Sequence, residues 1–303
     1  MWTQIAEAIT QATGKLFQLE NTRSVSGGCI NQGYQVRGNG TEYFVKLNQA
    51  SQVEMFVAEA LGLKQMYATQ TITVPQSICW GAAGNSSYLV LEWLNLGSGN
   101  HQGWTEMGRQ LAAMHQQGSC PRKPRACTQS LGVNDRFGWE RNNTIGSTPQ
   151  INTWTDNWAD FFAEHRIGYQ LKLANRRGES FPETNKVVAA IREQLADRKP
   201  PASLVHGDLW SGNAAWCADG TPVIFDPATY YGDRETDLAM TELFGGFPAP
   251  FYRGYDQVWA LDSGYKHRQN IYNLYHILNH FNLFGGGYGN QAQRMIREIF
   301  KFN

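Results

Sequence analysis

The segment LVHGDLWSGN at Leu204 to Asn213, followed by VIFDP at Val223 to Pro227, constrains this chain more than any other feature. An apolar strand delivers Asp208, Asn213 follows five residues later, and a second apolar strand delivers Asp226 eighteen residues after Asp208. Either half alone would pass as ordinary turn formers at strand ends. With order and spacing kept, and apolar strands on both sides, the three read instead as one set of oxygen-bearing groups brought to a common edge.

The chemistry of such a set is specific. Hard Mg²⁺ takes oxygen ligands in a tight octahedron and usually accepts only one or two carboxylates from protein. Asn213 and Asp226 offer one amide oxygen and one carboxylate. In the catalytic loop pattern HxDxxxxN, the aspartate receives the proton of a substrate hydroxyl, the asparagine holds the metal, and a later aspartate holds it too. His206, Gly207, Asp208 and Asn213 reproduce that spacing. Phosphoryl transfer is mostly positioning and charge neutralisation, so an Asp208 of ordinary pKa near 4 is expected to suffice.

That reading makes demands upstream: a strand lysine for the α and β phosphates and a helix glutamate to hold it. Lys46 lies in the strand YFVKLN, and Glu59 in the following helical stretch. SGGCIN at Ser26 to Asn31 departs from GxGxxG, yet Gly27 and Gly28 let backbone N–H groups approach a phosphate. Cys29 in that loop is expected to be either a small filler or an oxidisable thiol. The strand LVLEWL leads into a glycine-bearing connector, which makes Glu92, Trp93 and Leu94 the segment expected to read adenine.

Organisation along the chain agrees. Trp2, Ile5 and Ile9 predict a short helix ending at Gly14. Phe17 to Asn48 reads as a glycine-punctuated antiparallel meander, Gln52 to Thr69 as a helix, and PQSICW and SYLVLEW as two more strands. LNLGSGNHQG then reads as a hinge. Helices are predicted at His101–Gln117, Thr153–Leu173, Glu183–Leu195 and Tyr265–Phe284, interrupted by short strands at SLVHGDLW and TPVIFDP. The expected fold class is therefore α+β: a β-rich lobe at 1–94 that binds ATP and a mostly helical catalytic and substrate lobe at 95–303. No internal repeat or low-complexity tract is visible.

Composition narrows the partner. Charged residues make up 17% of the 303, aromatics 13%, and the formal net charge is zero. A disordered chain needs the reverse, and nothing in the whole-chain charge favours nucleic acid. No run approaches the length of a bilayer span, the N-terminus lacks a signal pattern, and five cysteines form no CxxC pair. The expectation is a reduced, cytoplasmic monomer, with a dimer bridged by Cys29 as the alternative. PRKPR at Pro121 to Arg125 reads as a solvated loop.

Taken together, SGGCIN, FVK, LVLEWL, FGW with NNTIG, LVHGDLWSGN, FDPATYYGDRETDLAM and LYHILNHFNLFGGGY resemble the fructosamine kinase (ketosamine 3-kinase) family over nearly the whole chain. That family belongs to the aminoglycoside phosphotransferase and choline kinase branch of the bilobal protein-kinase-like fold. The resemblance implies Mg²⁺- and ATP-dependent phosphorylation of the sugar 3-hydroxyl of a ketosamine, on a free amine or a protein lysine. By it Asp208 is the proton acceptor, Asn213 and Asp226 hold the metal, Lys46 touches phosphate, and Glu92 to Leu94 carry the base. A phosphate on C3 is β to the C2 carbonyl, so enolisation expels it and frees the amine: a deglycation, or repair, reaction.

For the sugar pocket the expectations are Trp210, Asp237 and His280. Trp210 could instead be a core aromatic, and Asp237 a brace for the loop backbone. His276 and His280 have HxxxH spacing but no third ligand for zinc. The competing readings are a related kinase acting on choline, homoserine or an aminoglycoside, and a nucleotide-binding module without turnover. A protein kinase is disfavoured, because DPA stands where DFG would and no APE follows.

Overall fold

The computed structural model describes residues 1–25, 30–99, 101–119, 136–178 and 181–301. Gly27, Gly28, Cys29 and the PRKPR run lie outside them. The chain opens with α1 (Trp2–Thr13), closed by Gly14 at φ 69°, whose N–H bonds Thr10 O. Three strands follow: β1 (Asn21–Val25), β2 (Gln32–Gly38) and β3 (Thr41–Gln49). Asn39 and Gly40 both take positive φ, the two-residue turn that matches the natural twist of a hairpin. Phe17 to Glu20, expected as strand, is coil before β1.

Next come α2 (Val53–Ala68), β4 (Ser77–Ala83) and β5 (Ser86–Glu92). The five strands form one antiparallel sheet in the order β1-β2-β3-β5-β4, so β3, which carries Lys46, is central. The sheet has two different faces. Val36, Val45, Leu47 and Val90 pack under α1 with Ile5 and Ile9. Leu89 and Leu91 join the α2 side chains in a core that runs without interruption into the rest of the molecule.

The connector is not a free hinge. Leu96–Gly97 form a short strand, β6, antiparallel to β10 (Ala214–Cys217), which in turn pairs β11 (Pro222–Ile224). Its glycines serve close approach: a Cβ at Gly97 would lie 2.9 Å from Ala218 Cα, and one at Gly99 would overlap the Trp216 ring.

The helical part contains α3 (His101–Gln117), the hairpin β7 (Asn143–Ile145) and β8 (Thr148–Gln150), and a helix from Trp158 to Arg176. The middle of that helix, Phe162–Gly168, is a π turn, flanked by α4 (Trp158–Phe161) and α5 (Tyr169–Arg176). It continues with α6 (Thr184–Gln194), β9 (Ser203–Val205), β12 (Tyr230–Gly232), α7 (Glu235–Leu243), α8 (Ala249–Trp259), α9 (Tyr265–Phe284) and α10 (Tyr288–Lys301). Helices α3 and α8 meet backbone to backbone, since a methyl on Gly108 or Gly254 would overlap a carbonyl of the other helix. No helix among the described residues is long and apolar enough to cross a membrane.

Candidate active site

Strand β9 runs straight into His206, Gly207 and Asp208, and four hydrogen bonds and one close backbone approach fix that turn. Asp237, in the first turn of α7, accepts the His206 N–H at 2.7 Å and the Gly207 N–H at 2.8 Å. Gly207 sits at φ 83°, and any side chain there would overlap the Ala228 carbonyl. The His206 ring donates from Nε2 to Phe225 O at 2.9 Å and accepts the Asp208 N–H at Nδ1, 3.3 Å. This arrangement requires the neutral imidazole, and burial lowers its pKa in the same sense.

Asp237 is consequently not a sugar ligand. It is 1% exposed, lies behind the loop, and takes a third bond from His115 Nε2 at 2.9 Å, while His115 Nδ1 meets the Tyr255 hydroxyl at 2.8 Å. Burial would raise its pKa, but the His115 hydrogen bond and the Gly207 N–H hold it below the usual carboxylate range.

Asp208 and Asn213 are joined directly. Asn213 Nδ2 donates to Asp208 O at 2.8 Å and to Asp208 Oδ2 at 3.3 Å. Asn213 O accepts the Phe225 N–H at 3.1 Å, tying the loop to the strand that delivers Asp226. With its amide nitrogen committed, Asn213 Oδ1 is the atom left for a cation. Asp208 departs from the ordinary value expected of it: burial, and then the Asp226 charge, push it up to about 7 against the pull of the Asn213 bond. A cation between Asn213 and Asp226 would offset the second of these causes and favour the carboxylate.

Lys46 reaches the same place from the sheet. Its Nζ is 2.6 Å from Glu59 Oε1 on α2 and also bonds Asp226 Oδ1. Burial would strip its proton, but Asp226 and Glu59 more than compensate and raise its pKa, so the ammonium persists. Burial raises Glu59, partly countered by Lys46. Asp226 adopts φ 59°, a left-handed conformation that aspartate tolerates better than most residues. Its second carboxylate oxygen and Asn213 Oδ1 are hard donors of the kind Mg²⁺ takes.

At the connector, Glu92 N–H bonds Gln76 O at 2.9 Å and Trp93 Nε1 bonds Asn95 Oδ1 at 3.2 Å. Leu94 makes no backbone hydrogen bond among the described residues, which leaves its peptide available to a nucleotide base.

Trp210 follows Asp208 on the loop and is 38% exposed, so it is no core aromatic between lobes; its ring lies over Gly212. His280 is half-buried on α9 among Phe244, Phe284 and Tyr288, with Nδ1 on His276 O at 2.9 Å. That bond takes His280 Nδ1 out of any HxxxH pair, and no metal-binding cluster of three His, Cys, Asp or Glu occurs among the described residues.

Sequence reasoning missed the layer beneath. Asn143 Nδ2 donates to Thr229 O at 2.8 Å, and Gln150 Nε2 to Ala228 O at 2.9 Å and to Asn143 Oδ1. Tyr275 in turn donates to Gln150 Oε1 at 2.7 Å. These buried amides hold the segment after Asp226, and only the conjunction of several amides around one short hairpin hinted at them.

A lysine held by a helix glutamate, a loop aspartate paired with an asparagine, and a second aspartate facing the lysine define a kinase-like phosphotransferase site. The fold agrees: an aminoglycoside phosphotransferase solved with ADP and hygromycin B superposes with a TM-score of 0.61 over 98% of each chain, at 14% identity. A structure from Haemophilus somnus named for fructosamine-3-kinase superposes at 0.89, with 30% identity over 99% of this chain and 97% of that one. The sequence model described as "Fructosamine kinase" matches residues 1–302. The "Probable ketoamine kinase" of Synechocystis is 58% identical over 99% of this chain and 97% of its own. The chloroplastic "Protein-ribulosamine 3-kinase" of Arabidopsis thaliana is 40% identical over 95% and 85%. The chain belongs to the fructosamine kinase family and is an ATP-dependent kinase.

Proposed function

We propose that the chain transfers the γ-phosphoryl group of ATP to the 3-hydroxyl of a ketosamine, with Asp208 as proton acceptor. The observation that carries the mechanism is the meeting of two hydrogen-bonded pairs, Lys46 with Asp226 and Asn213 with Asp208, close enough that the Asp226 charge acts on Asp208. Lys46 neutralises phosphate charge, and Glu59 keeps its ammonium on the site side of β3. Asn213 Oδ1 and Asp226 would hold Mg²⁺, which when bound neutralises charge on the transferring phosphoryl group. Asp208 accepts a hydrogen bond from the sugar hydroxyl and takes its proton as the new P–O bond forms and the bond to ADP breaks.

The acceptor class follows from the named relatives, and Trp210 is the residue best placed to meet the sugar: exposed, aromatic, and two residues from the base. His280, ringed by aromatics on α9, is a weaker second contact. Leu94 and its neighbours would receive adenine, and Gly27 and Gly28 the phosphates. The need for ATP fits a cytoplasmic enzyme.

The test is a purified-enzyme assay with Mg-ATP against ribuloselysine, fructoselysine, choline and an aminoglycoside. Turnover is expected on a ketosamine, and turnover on choline alone would overturn the reading. Asp208→Asn should lower kcat by about 10²–10⁴-fold, the usual worth of a positioned base. Since burial of the charge already disfavours the carboxylate, that variant should unfold at no lower temperature than the parent.

A further inference from the structure

The glutamate helix of this protein packs on the sheet through Leu89 and Leu91 and is also fastened to the helical lobe. Along one face of α2, Glu54 meets Arg141 at 3.4 Å, Gln65 Oε1 accepts the indole N–H of buried Trp139 at 2.9 Å, and Gly62 lies against Thr229. The last contact is the tightest. A methyl at Gly62 would sit 2.6 Å from Thr229 Oγ1, 3.1 Å from its Cβ and 3.7 Å from Pro227 Cγ. Glycine is the poorest helix former after proline, so its presence in mid-helix answers to this packing. Thr229 cannot easily withdraw: its carbonyl is held by Asn143, and the neighbouring Ala228 carbonyl by Gln150. Its hydroxyl is buried with no hydrogen-bond partner among the described residues, so the side chain is there to fill space against the helix.

Glu59 is one turn before Gly62, and Thr229 is three residues after Asp226. The two carboxylates that grip Lys46 are thus set at a fixed separation by the Gly62–Thr229 contact. We propose that Gly62 and Thr229 are positioning residues that set the distance between Glu59 and Asp226 and thereby the placement of the Lys46 ammonium for the nucleotide. The proposal rests on the assignment of Lys46 to the phosphates of ATP. It involves no contact with the acceptor, so its effect should be confined to ATP.

Three variants test it: Gly62→Ala, Thr229→Ala and the double. Gly62→Ala should raise KM for ATP about tenfold or more, since sub-ångström misplacement of charged groups is costly, while KM for the ketosamine stays within about twofold. In the double variant, where the hydroxyl and methyl of Thr229 are gone, KM for ATP should return to within about threefold of Thr229→Ala alone. A double variant as impaired as Gly62→Ala, or parallel rises in both KM values, would overturn the proposal. Should Gly62→Ala not fold, Gln65→Met, which removes the acceptor of the Trp139 N–H and keeps the side-chain length, should raise KM for ATP selectively, and an unchanged value would count equally against it. Direct titration of Lys46→Met with ATP separates the two ideas. Retained affinity removes the assignment of Lys46, whereas lost affinity beside an unaffected Gly62→Ala removes the clamp alone.

Discussion

Asp226 carries two requirements in one residue: a carboxylate for Lys46 and a backbone at φ 59°. They can be separated by substitution. Asparagine tolerates left-handed φ as well as aspartate, so Asp226→Asn should keep the fold and lose the charge. Activity is expected to fall by at least about 10²-fold with little change in melting temperature, because Lys46 keeps Glu59 as its partner. Asp226→Ala should lose the same activity and in addition about 1 kcal/mol of stability, from strain at a conformation alanine adopts poorly. Equal stabilities for the two variants, measured by urea titration, would show that the backbone geometry is not under strain. At this scale the meeting of side chains was legible wherever it depends on local spacing: Asp208 with Asn213, and Lys46 with Glu59, with Asp226 beside them. Asp237 was not, because it lies 31 residues from the N–H it accepts at His206, and nothing local distinguishes an aspartate facing a sugar from one facing a peptide backbone. His115, which shares Asp237, gives no local signal either.

Elements were legible in proportion to how one-sided their burial is. Helices α1 and α3 each bury a single face, and their periodicity located them. Helix α7 is buried from Glu235 to Thr241 on every side, so it has no polar stripe to mark its period. The glycines of 95–99 read as a hinge because composition cannot distinguish a glycine that frees the chain from one that admits a Trp216 ring. Helix α9, legible throughout, holds a less visible feature. His276 is 3% exposed, its Nδ1 has no partner among the described residues, and burial, then the neighbouring His280, lowers its pKa to about 3. The unfolded chain therefore binds a proton between about pH 6.5 and 3 that the folded chain refuses, so stability is full above pH 6.5 and lost as pH falls. At 1.36 kcal/mol per unit, the step from 6.5 to 5 costs about 2 kcal/mol. His276→Gln should shrink the difference in unfolding free energy between pH 7 and pH 5 by about that amount. An undiminished difference would place the titration elsewhere.

At the scale of the whole molecule, zero net charge conceals a concentrated centre, with Lys46, Glu59, Asp226 and Asp208 linked by hydrogen bonds or Coulomb interaction around one cleft. The two apolar cores divide differently from the two lobes. The small outer core joins α1 to one face of the sheet, while the large core takes in the other face, α2 and the helical lobe. Cooperative opening should follow cores rather than chain order. Backbone amides of α2 should therefore exchange with the same opening free energy as α3 and α9, and those of α1 and the edge strand β1 more readily. Ile9, fully buried in the outer core, provides the perturbation: Ile9→Ala should cost about 2–5 kcal/mol. Hydrogen exchange should then accelerate in α1 and β1–β3 while α2 remains as protected as before. Were α2 to loosen together with the sheet, its attachment to the helical lobe through Gly62, Gln65 and Glu54 would be too weak to hold Glu59 in place, and the sheet would be what carries it.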